Sequence, residues 1–204
     1  MKEIVLHLID LAENSINACA KTVRIDVRED FRTNQLIATV EDDGNGMTAE
    51  MVNQVVDPFF TSRTTRKVGL GIPLLKASAE ASQGKMTITS KPKEGTRIET
   101  TFKHSHIDRM PLGDLPSTFL TLTLTHPEIH WIFTYAFTPP YSGAARVFEF
   151  DDQPLKDAVS GMPLTHPDVL AYLRATLQDG IAGARKKKFR EAEEHNQPTK
   201  VSMQ

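Results

Sequence analysis

The chain has one cysteine and one tryptophan among its 204 residues, and no apolar run long enough to cross a bilayer. One thiol excludes an internal disulfide and an iron–sulfur cluster, which predicts a reducing, cytoplasmic setting. The net charge is only −2, so no global charge favours nucleic acid or a membrane surface as partner. The first residues, MKEIVLHLIDLAEN, contain no small-residue cleavage site, and we expect mature sequence there.

What the chain does contain is typical of a soluble globular protein: 39% apolar and 25% charged residues. Apolar periodicity in the first half predicts a helix over about residues 2–20, then the strands TVRIDVRE and LIATVED. A short helix over about 49–56 and a helix IPLLKASAEASQ follow, and then a hairpin of KMTITS and TRIETTF. This order predicts an α+β fold with a mixed sheet and helices on one face.

The second half gives weaker signals. In DLPSTFLTLTLTHP the Leu/Thr alternation favours a strand, whereas Asp114 as a cap and the early Pro116 favour a helix, which we prefer. IHWIFTYAF and ARVFEFD predict a hairpin, and HPDVLAYLRATLQDGIAGA an amphipathic helix. We divide the chain into residues 1–103, a small α+β accessory region of unknown role at 104–184, and a basic, then polar tail at 185–204 that we expect to be disordered.

Three short polar side chains, Asp10, Asn14 and Asn17, form a narrow stripe on the first predicted helix. Asn and Asp are poor helix formers, so a merely solvated stripe would favour Lys, Glu or Arg instead. Carboxylate and amide oxygens one turn apart suit contacts with water or a cation. The stripe therefore indicates either a solvated surface or a polar site.

Two glycine-containing loops carry the other signals. In EDDGNGM two glycines let the backbone approach another group closely. GLG, residues 69–71, opens a helix, and backbone N–H groups at a helix start form a phosphate site. The preceding loop holds Arg63, Arg66 and Lys67, which either reach a phosphate or are simply solvated.

Four pieces in this order, DLAENSINA, EDDGNGM, DPFFTSR and KVGLGIPLL…GTRIETTF, resemble the GHKL ATP-binding superfamily. That superfamily contains histidine kinases, gyrase-type topoisomerases, heat-shock chaperone ATPases and MutL proteins. The resemblance covers about residues 2–103. It implies a Bergerat-type two-layer α/β sandwich that binds ATP with Mg²⁺, followed here by an additional C-terminal α+β region.

The resemblance also implies roles for the first helix. Asn14 corresponds to the magnesium-binding Asn, and its amide oxygen is a hard ligand. Asp10 takes the place of the general base of hydrolytic relatives, where the family has Glu; this departure puts efficient hydrolysis in doubt. Asn17 lies where histidine kinases often have Lys, so a phosphate-binding lysine is missing there.

By the same resemblance, Asp42 accepts the adenine amino group, Gly44 and Gly46 admit the base, and Thr96 lies near the adenine. Phe60 packs under a short lid. The residues expected at the phosphates are Arg63, Arg66, Lys67, Gly69, Leu70 and Gly71.

Three functions follow as alternatives. The short lid favours a protein kinase that acts in signalling. Since we expect no phospho-acceptor hairpin before the domain, we expect the kinase to phosphorylate a partner protein. The acidic Asp10 and the MutL-like ENSINACA favour an ATPase or an ATP-gated clamp. The missing Lys and the shortened base favour a non-catalytic nucleotide sensor. We prefer the kinase and leave a homodimer open.

Overall fold

A computed structural model describes residues 3–56, 71–141 and 143–185. The strands in these ranges are β1 (Thr22–Asp30), β2 (Gln35–Asp42), β3 (Lys85–Lys91), β4 (Gly95–Lys103), β5 (His130–Thr138) and β6 (Arg146–Asp151). The helices are α1 (Ile4–Asn17), α2 (Ala49–Val55), α3 (Gly71–Ala81), α4 (Leu115–Thr125), α5 (Gln153–Ala158) and α6 (Pro167–Arg185).

The six strands form one mixed sheet in the order β3-β4-β2-β1-β5-β6. Every neighbouring pair is antiparallel except β1 and β5, which run parallel. In β1, Val23, Ile25 and Val27 are buried, whereas Arg24 and Arg28 are exposed, as period-2 alternation requires of a sheet covered on one face. The α+β fold class predicted from the sequence is thereby confirmed.

An aromatic core fills the space between the sheet and the helices of the second half. Phe119 of α4 stacks on Phe133 of β5, with ring centroids 4.2 Å apart, and Phe133 also stacks on Trp131. All three side chains are fully buried. Packing of this kind contributes both apolar burial and favourable ring contacts. The aromatic residues of IHWIFTYAF therefore serve as core.

The second half continues the sheet of the first. β5 and β6 pair as the predicted hairpin, and β5 joins β1 along its whole length, from Thr22 opposite His130 to Asp30 opposite Thr138. The predicted division at residue 104 thus falls between strands that belong to one sheet. Whether residues 1–103 and 104–184 fold as separate units stays a prediction.

The segment between β4 and α4 docks against the start of α1. The Ile4 and Val5 N–H groups donate to the carbonyls of Pro111 and Leu112, at 2.9 and 3.0 Å. Two of the unpaired donors at the helix start are satisfied in this way. The helix begins at Ile4 and ends at Asn17, and is shorter than predicted because Cys19 has a left-handed backbone, with φ 61°, which ends a right-handed helix.

Of the other predictions about local structure, one is confirmed, one helix was not predicted, and one segment lies outside the described residues. The ambiguous segment at 115–125 is helix α4, and Asp114 caps it by accepting the Ser117 N–H at 3.1 Å. The short helix α5 was not predicted, because its six residues show no apolar periodicity. The tail at 186–204 lies outside the described residues. No helix among the described residues is both long and apolar enough to span a bilayer.

Candidate functional site

The carboxylate of Asp42 lies at the end of β2, on the face of the sheet that the helices cover. Its Oδ2 accepts the hydroxyl of Ser15 on α1 at 2.7 Å, and its Oδ1 accepts the Gly44 N–H at 2.9 Å. Asp42 is half-buried, while Ser15 and Gly44 are buried. Each carboxylate oxygen can accept a further hydrogen bond, so Asp42 is oriented by its protein partners without being saturated.

Ser15 was missed as a site residue. Its hydroxyl has one proton and lies nearer to Asp42 Oδ2 than to the Leu11 carbonyl, which is 3.2 Å away. It therefore fixes α1 to the end of β2 directly beside Asn14. The stripe Asp10, Asn14 and Asn17 drew attention to a different side of the helix, and only the packing of α1 on the sheet reveals the role of Ser15.

Thr96 lies opposite Asp42 in the β2–β4 pair, and Ser90 lies opposite Thr96 in the β3–β4 pair. The Ser90 and Thr96 hydroxyls are 2.9 Å apart. Ser90 also accepts the Met47 N–H at 2.8 Å, which ties the glycine-containing loop to the hairpin. Asp42, Thr96 and Ser90 thus form a polar row across three adjacent strands.

The loop after β2 is held on both sides. Asp43 Oδ1 accepts the N–H groups of Lys21 and Thr22 at 2.7 and 2.9 Å. Burial raises the pKa of Asp43, but the Thr22 and Lys21 N–H groups outweigh it and hold that pKa below its ordinary value. Gly46 has φ +62°, and a Cβ there would overlap the Lys91 carbonyl. Only glycine suits this close approach.

At the other end of the stripe, Asp10 lies against the first residue of α3. Its Oδ2 would be 2.9 Å from a Cβ placed on Gly71, so the absence of a side chain at Gly71 allows α1 and α3 to approach. His7, one turn before Asp10, is buried with 2% of its surface exposed. Burial lowers the pKa of His7, against smaller opposing effects of the Asp10 charge and a backbone hydrogen bond to Gly71.

The two asparagines of the stripe differ. Asn14 is half-buried, and its side chain has no hydrogen-bond partner among the described residues. Asn17 is exposed and donates its amide to the Glu13 carbonyl of its own helix at 2.8 Å. Asp10 and Ser15 are five residues apart, about 7.5 Å along the helix axis, so α1 connects the Gly71 contact to the Asp42 contact.

Part of the predicted nucleotide site, the aromatic residue under the lid and most of the residues expected at the phosphates, lies outside the described residues. This applies to Phe60, Arg63, Arg66, Lys67, Gly69 and Leu70. Their roles stay predictions. Of the predicted residues within the described ranges, the structure brings Asp10 to Gly71 and Asp42 to Gly44 and Thr96, and places Asn14 between these two groups along α1.

A second polar cluster lies at the start of the β5–β6 pair, where ligand atoms of His130, Asp151 and Asp152 come within 4.8 Å of one another. His130 Nε2 is already 2.7 Å from Asp151 Oδ1. The fully buried Asp152 accepts the Trp131 N–H at 3.0 Å and pairs with Lys156 at 2.7 Å. These hydrogen bonds and the ion pair join β5, β6 and α5, so the cluster has a structural role.

The sequence of the first half matches a known protein family. The family model described as "Histidine kinase-, DNA gyrase B-, and HSP90-like ATPase" matches residues 2–106, half of the chain. Sensor protein kinase FleS of Pseudomonas aeruginosa is 38% identical over 89 residues, which are 44% of this chain and 22% of FleS. The chain therefore covers about a fifth of that relative's length.

Two solved structures resemble the chain in three dimensions. The N-terminal domain of a DNA repair protein is 11% identical, with a TM-score of 0.49, over 89% of this chain and 57% of that one. The catalytic domain of histidine kinase ThkA is 21% identical, with a TM-score of 0.40, over 51% of this chain and 68% of that one.

Proposed function

Because the chain belongs to the family of histidine kinase-, DNA gyrase B- and HSP90-like ATPases, we propose that it binds ATP with magnesium and transfers phosphate to a partner protein. The observation that carries the proposal is the carboxylate of Asp42, fixed by Ser15 and Gly44 and left with free acceptor positions. Such a carboxylate suits an exocyclic amino group, the donor that distinguishes adenine from a carbonyl-bearing base.

The described residues also fit the metal and the phosphates. Asn14 offers an amide oxygen without a partner among them, and magnesium takes one or two protein oxygens and fills its shell with phosphate and water. The start of α3 at Gly71 offers backbone N–H groups and the positive end of the helix dipole. When bound, magnesium would neutralise phosphate charge; Asn14 would hold it and α3 would orient the anion.

Calorimetry with ATP, with and without magnesium, tests binding. We expect ATP to bind, with at least tenfold tighter affinity when magnesium is present. Asn14→Ala should remove the magnesium dependence and leave the weaker, metal-free affinity. Equal affinity with and without magnesium in the native protein would contradict the role of Asn14, and no binding at all would contradict the proposal.

Transfer to protein is tested with γ-labelled ATP and proteins captured with this chain as bait. Label on a captured protein supports the kinase proposal. The similarity to the sensor protein kinase FleS is a second argument for it. If ATP binds and no protein is labelled, the kinase proposal fails.

A second candidate is ATP hydrolysis, favoured by the position of Asp10 against Gly71. A carboxylate beside the expected phosphate end can accept a proton from an attacking water. Here Asp10→Asn should abolish phosphate release and leave ATP affinity within about threefold, whereas unchanged turnover would exclude Asp10 as the base.

A further inference from the structure

The strand β6 forms one edge of the sheet, and no strand among the described residues lies on its outer side. The ladder with β5 shows which backbone groups point outward. The Asp152 N–H donates to the Trp131 carbonyl, and in an antiparallel ladder such hydrogen-bonded pairs alternate with unbonded ones. The N–H and C=O groups of Val147, Glu149 and Asp151 therefore point away from β5.

The two edge strands of the sheet differ in the charges at their ends. β3, at the other edge, begins with Lys85 and ends with Lys91, so antiparallel pairing with a second β3 would bring like charges together. Lysines of this kind protect edge strands against pairing. β6 begins with Arg146 and ends with Asp151. Antiparallel pairing of two β6 strands brings opposite charges together, so a second copy of this chain is a partner whose charges fit.

The apolar side chains of β6 are left partly uncovered in the part of the chain that the structure describes. Phe148 extends the aromatic core of the second half to the edge of the sheet, where its ring lies against Gly180 of α6 and is only half-buried. Val147, on the open face, is 55% exposed. A strand placed beside β6 would cover both side chains and thereby remove apolar surface from water.

Packing and charge select one register for a two-fold symmetric pair of β6 strands. Residues directly opposite each other point to the same face, so one residue of β6 must lie opposite its own copy. Glu149 in this position would bring two carboxylates together, which is unfavourable, and Val147 would leave only residues 146–148 paired. Phe148 pairs residues 146–150 and lets the two rings pack on the helix-covered face. Val147 then exchanges backbone hydrogen bonds with Glu149 of the second copy.

We propose that β6 is the interface of a symmetric homodimer, in which two β6 strands pair antiparallel with Phe148 opposite its own copy. The two sheets then form one continuous sheet. Two short strands bury less surface than a standard stable interface, so we expect a dimer that dissociates on dilution. The inference goes beyond the proposed function, since Asp42 lies on β2, three strands and about 14 Å from β6.

A proline substitution tests the backbone hydrogen bonds of this interface. Glu149→Pro removes an N–H that points away from β5, so the bonds within the chain are kept. Glu149→Ala removes the same side chain but keeps the N–H, and is the matched control. In sedimentation velocity over a hundredfold range of concentration, we expect the native chain and Glu149→Ala to dimerise, and Glu149→Pro to do so at least tenfold more weakly.

Two outcomes of this experiment would overturn the proposal. One is a native chain that stays monomeric throughout the range, and the other is equal dimerisation of the native chain and Glu149→Pro. ATP affinity is measured on the same samples and should stay within threefold of native in both variants. A native chain that dimerises without binding ATP would refute the proposed function and leave the dimer in place.

Cross-linking tests the register and does not depend on whether the proline variant folds. In a Cys19→Ser background, which removes the exposed native thiol, single cysteines replace Val147, Phe148 or Glu149. A residue opposite its own copy in an unbonded pair has its two Cα atoms about 4.5 Å apart, within the range of a disulfide. With oxidised glutathione, Phe148→Cys should form at least tenfold more covalent dimer than Val147→Cys or Glu149→Cys. Equal cross-linking at all three positions, or a preference for 147 or 149, would overturn the proposal.

Discussion

The two ends of the β1–β2 pair each carry a carboxylate on the helix-covered face, and these two carboxylates differ in how many hydrogen-bond partners they have. At one end, Glu29 Oε1 accepts the Tyr135 hydroxyl at 2.6 Å and Arg185 at 2.7 Å, and its Oε2 lies 3.1 Å from His104 Nε2. At the other end, Asp42 has two donors and free acceptor positions. A mostly buried carboxylate bound to three side chains holds elements together, while a half-buried one with two donors keeps more acceptor capacity for a ligand.

The Glu29 network joins elements that are distant in sequence. Tyr135 comes from β5, His104 follows β4, and Arg185 is the last residue of α6. Through Glu29 the second half of the chain is bound to β1. We therefore assign this end of the sheet to stability and the Asp42 end to function, and the variants below test that division.

The largest effect is expected from Glu29→Ala. Removing one partner of a mostly buried ionic network leaves the others uncompensated, which costs about 3 kcal/mol of unfolding free energy. Urea unfolding measures it. The matched control is Glu41→Ala, because Glu41 forms an ion pair with Arg97 on the open face of the sheet, and its removal should cost at most about 0.5 kcal/mol. ATP affinity should stay native in both variants; a tenfold loss in Glu29→Ala would break the division.

Asp42→Ala should have the next largest effect, and on binding. Loss of a hydrogen bond to a charged acceptor costs on the order of 2 kcal/mol, about a thirtyfold weaker ATP affinity by calorimetry. Glu41→Ala is again the control, since it is the preceding residue and faces the other side of the sheet. Retained affinity in Asp42→Ala would contradict the assignment of the adenine contact.

A smaller effect is expected from acid. Burial raises the pKa of Glu29, but hydrogen bonds from Tyr135, His104 and Arg185 outweigh it and hold that pKa below its ordinary value of 4.5. Glu29 then binds protons more weakly in the folded than in the unfolded state. Its contribution to the free energy of unfolding is therefore present above pH 4.5 and is lost as the pH falls further.

Urea unfolding at several pH values between 6 and 3 measures this contribution. The native chain should lose more stability over that range than Glu29→Gln, which cannot titrate. Asp30, Asp43 and Asp151, whose pKa values are also lowered, titrate in both proteins and cancel in the comparison. Parallel pH profiles would show that Glu29 is not held as a charged group.

Sequence periodicity was sufficient to place the strands and most helices, because burial on one face imposes period 2 or 3.6 on each element. Periodicity does not say which strands pair. The parallel pairing of β1 with β5 joins residues about a hundred positions apart, and so the continuation of the sheet into the second half was not predicted.

The residues of the candidate site also divide into those that a local sequence motif predicts and those that depend on tertiary packing. Asp42, Gly44 and Gly46 were predicted because the stretch EDDGNGM resembles a motif of the family. Ser15 was not, since its partner Asp42 lies 27 positions away. Its role depends on how α1 packs on the sheet.

The smallest expected effect is that of Asn17→Ala. The sequence predicts Asn17 as a nucleotide contact, but its side chain is exposed and already donates one amide proton to the Glu13 carbonyl of its own helix. We expect ATP affinity within threefold of native, against the tenfold or greater loss in magnesium for Asn14→Ala on the same helix. Calorimetry of both variants decides between them. A loss of ATP affinity in Asn17→Ala equal to that in Asn14→Ala would contradict this expectation. It would extend the ligand-binding surface of α1 from Asn14 to the last turn of the helix.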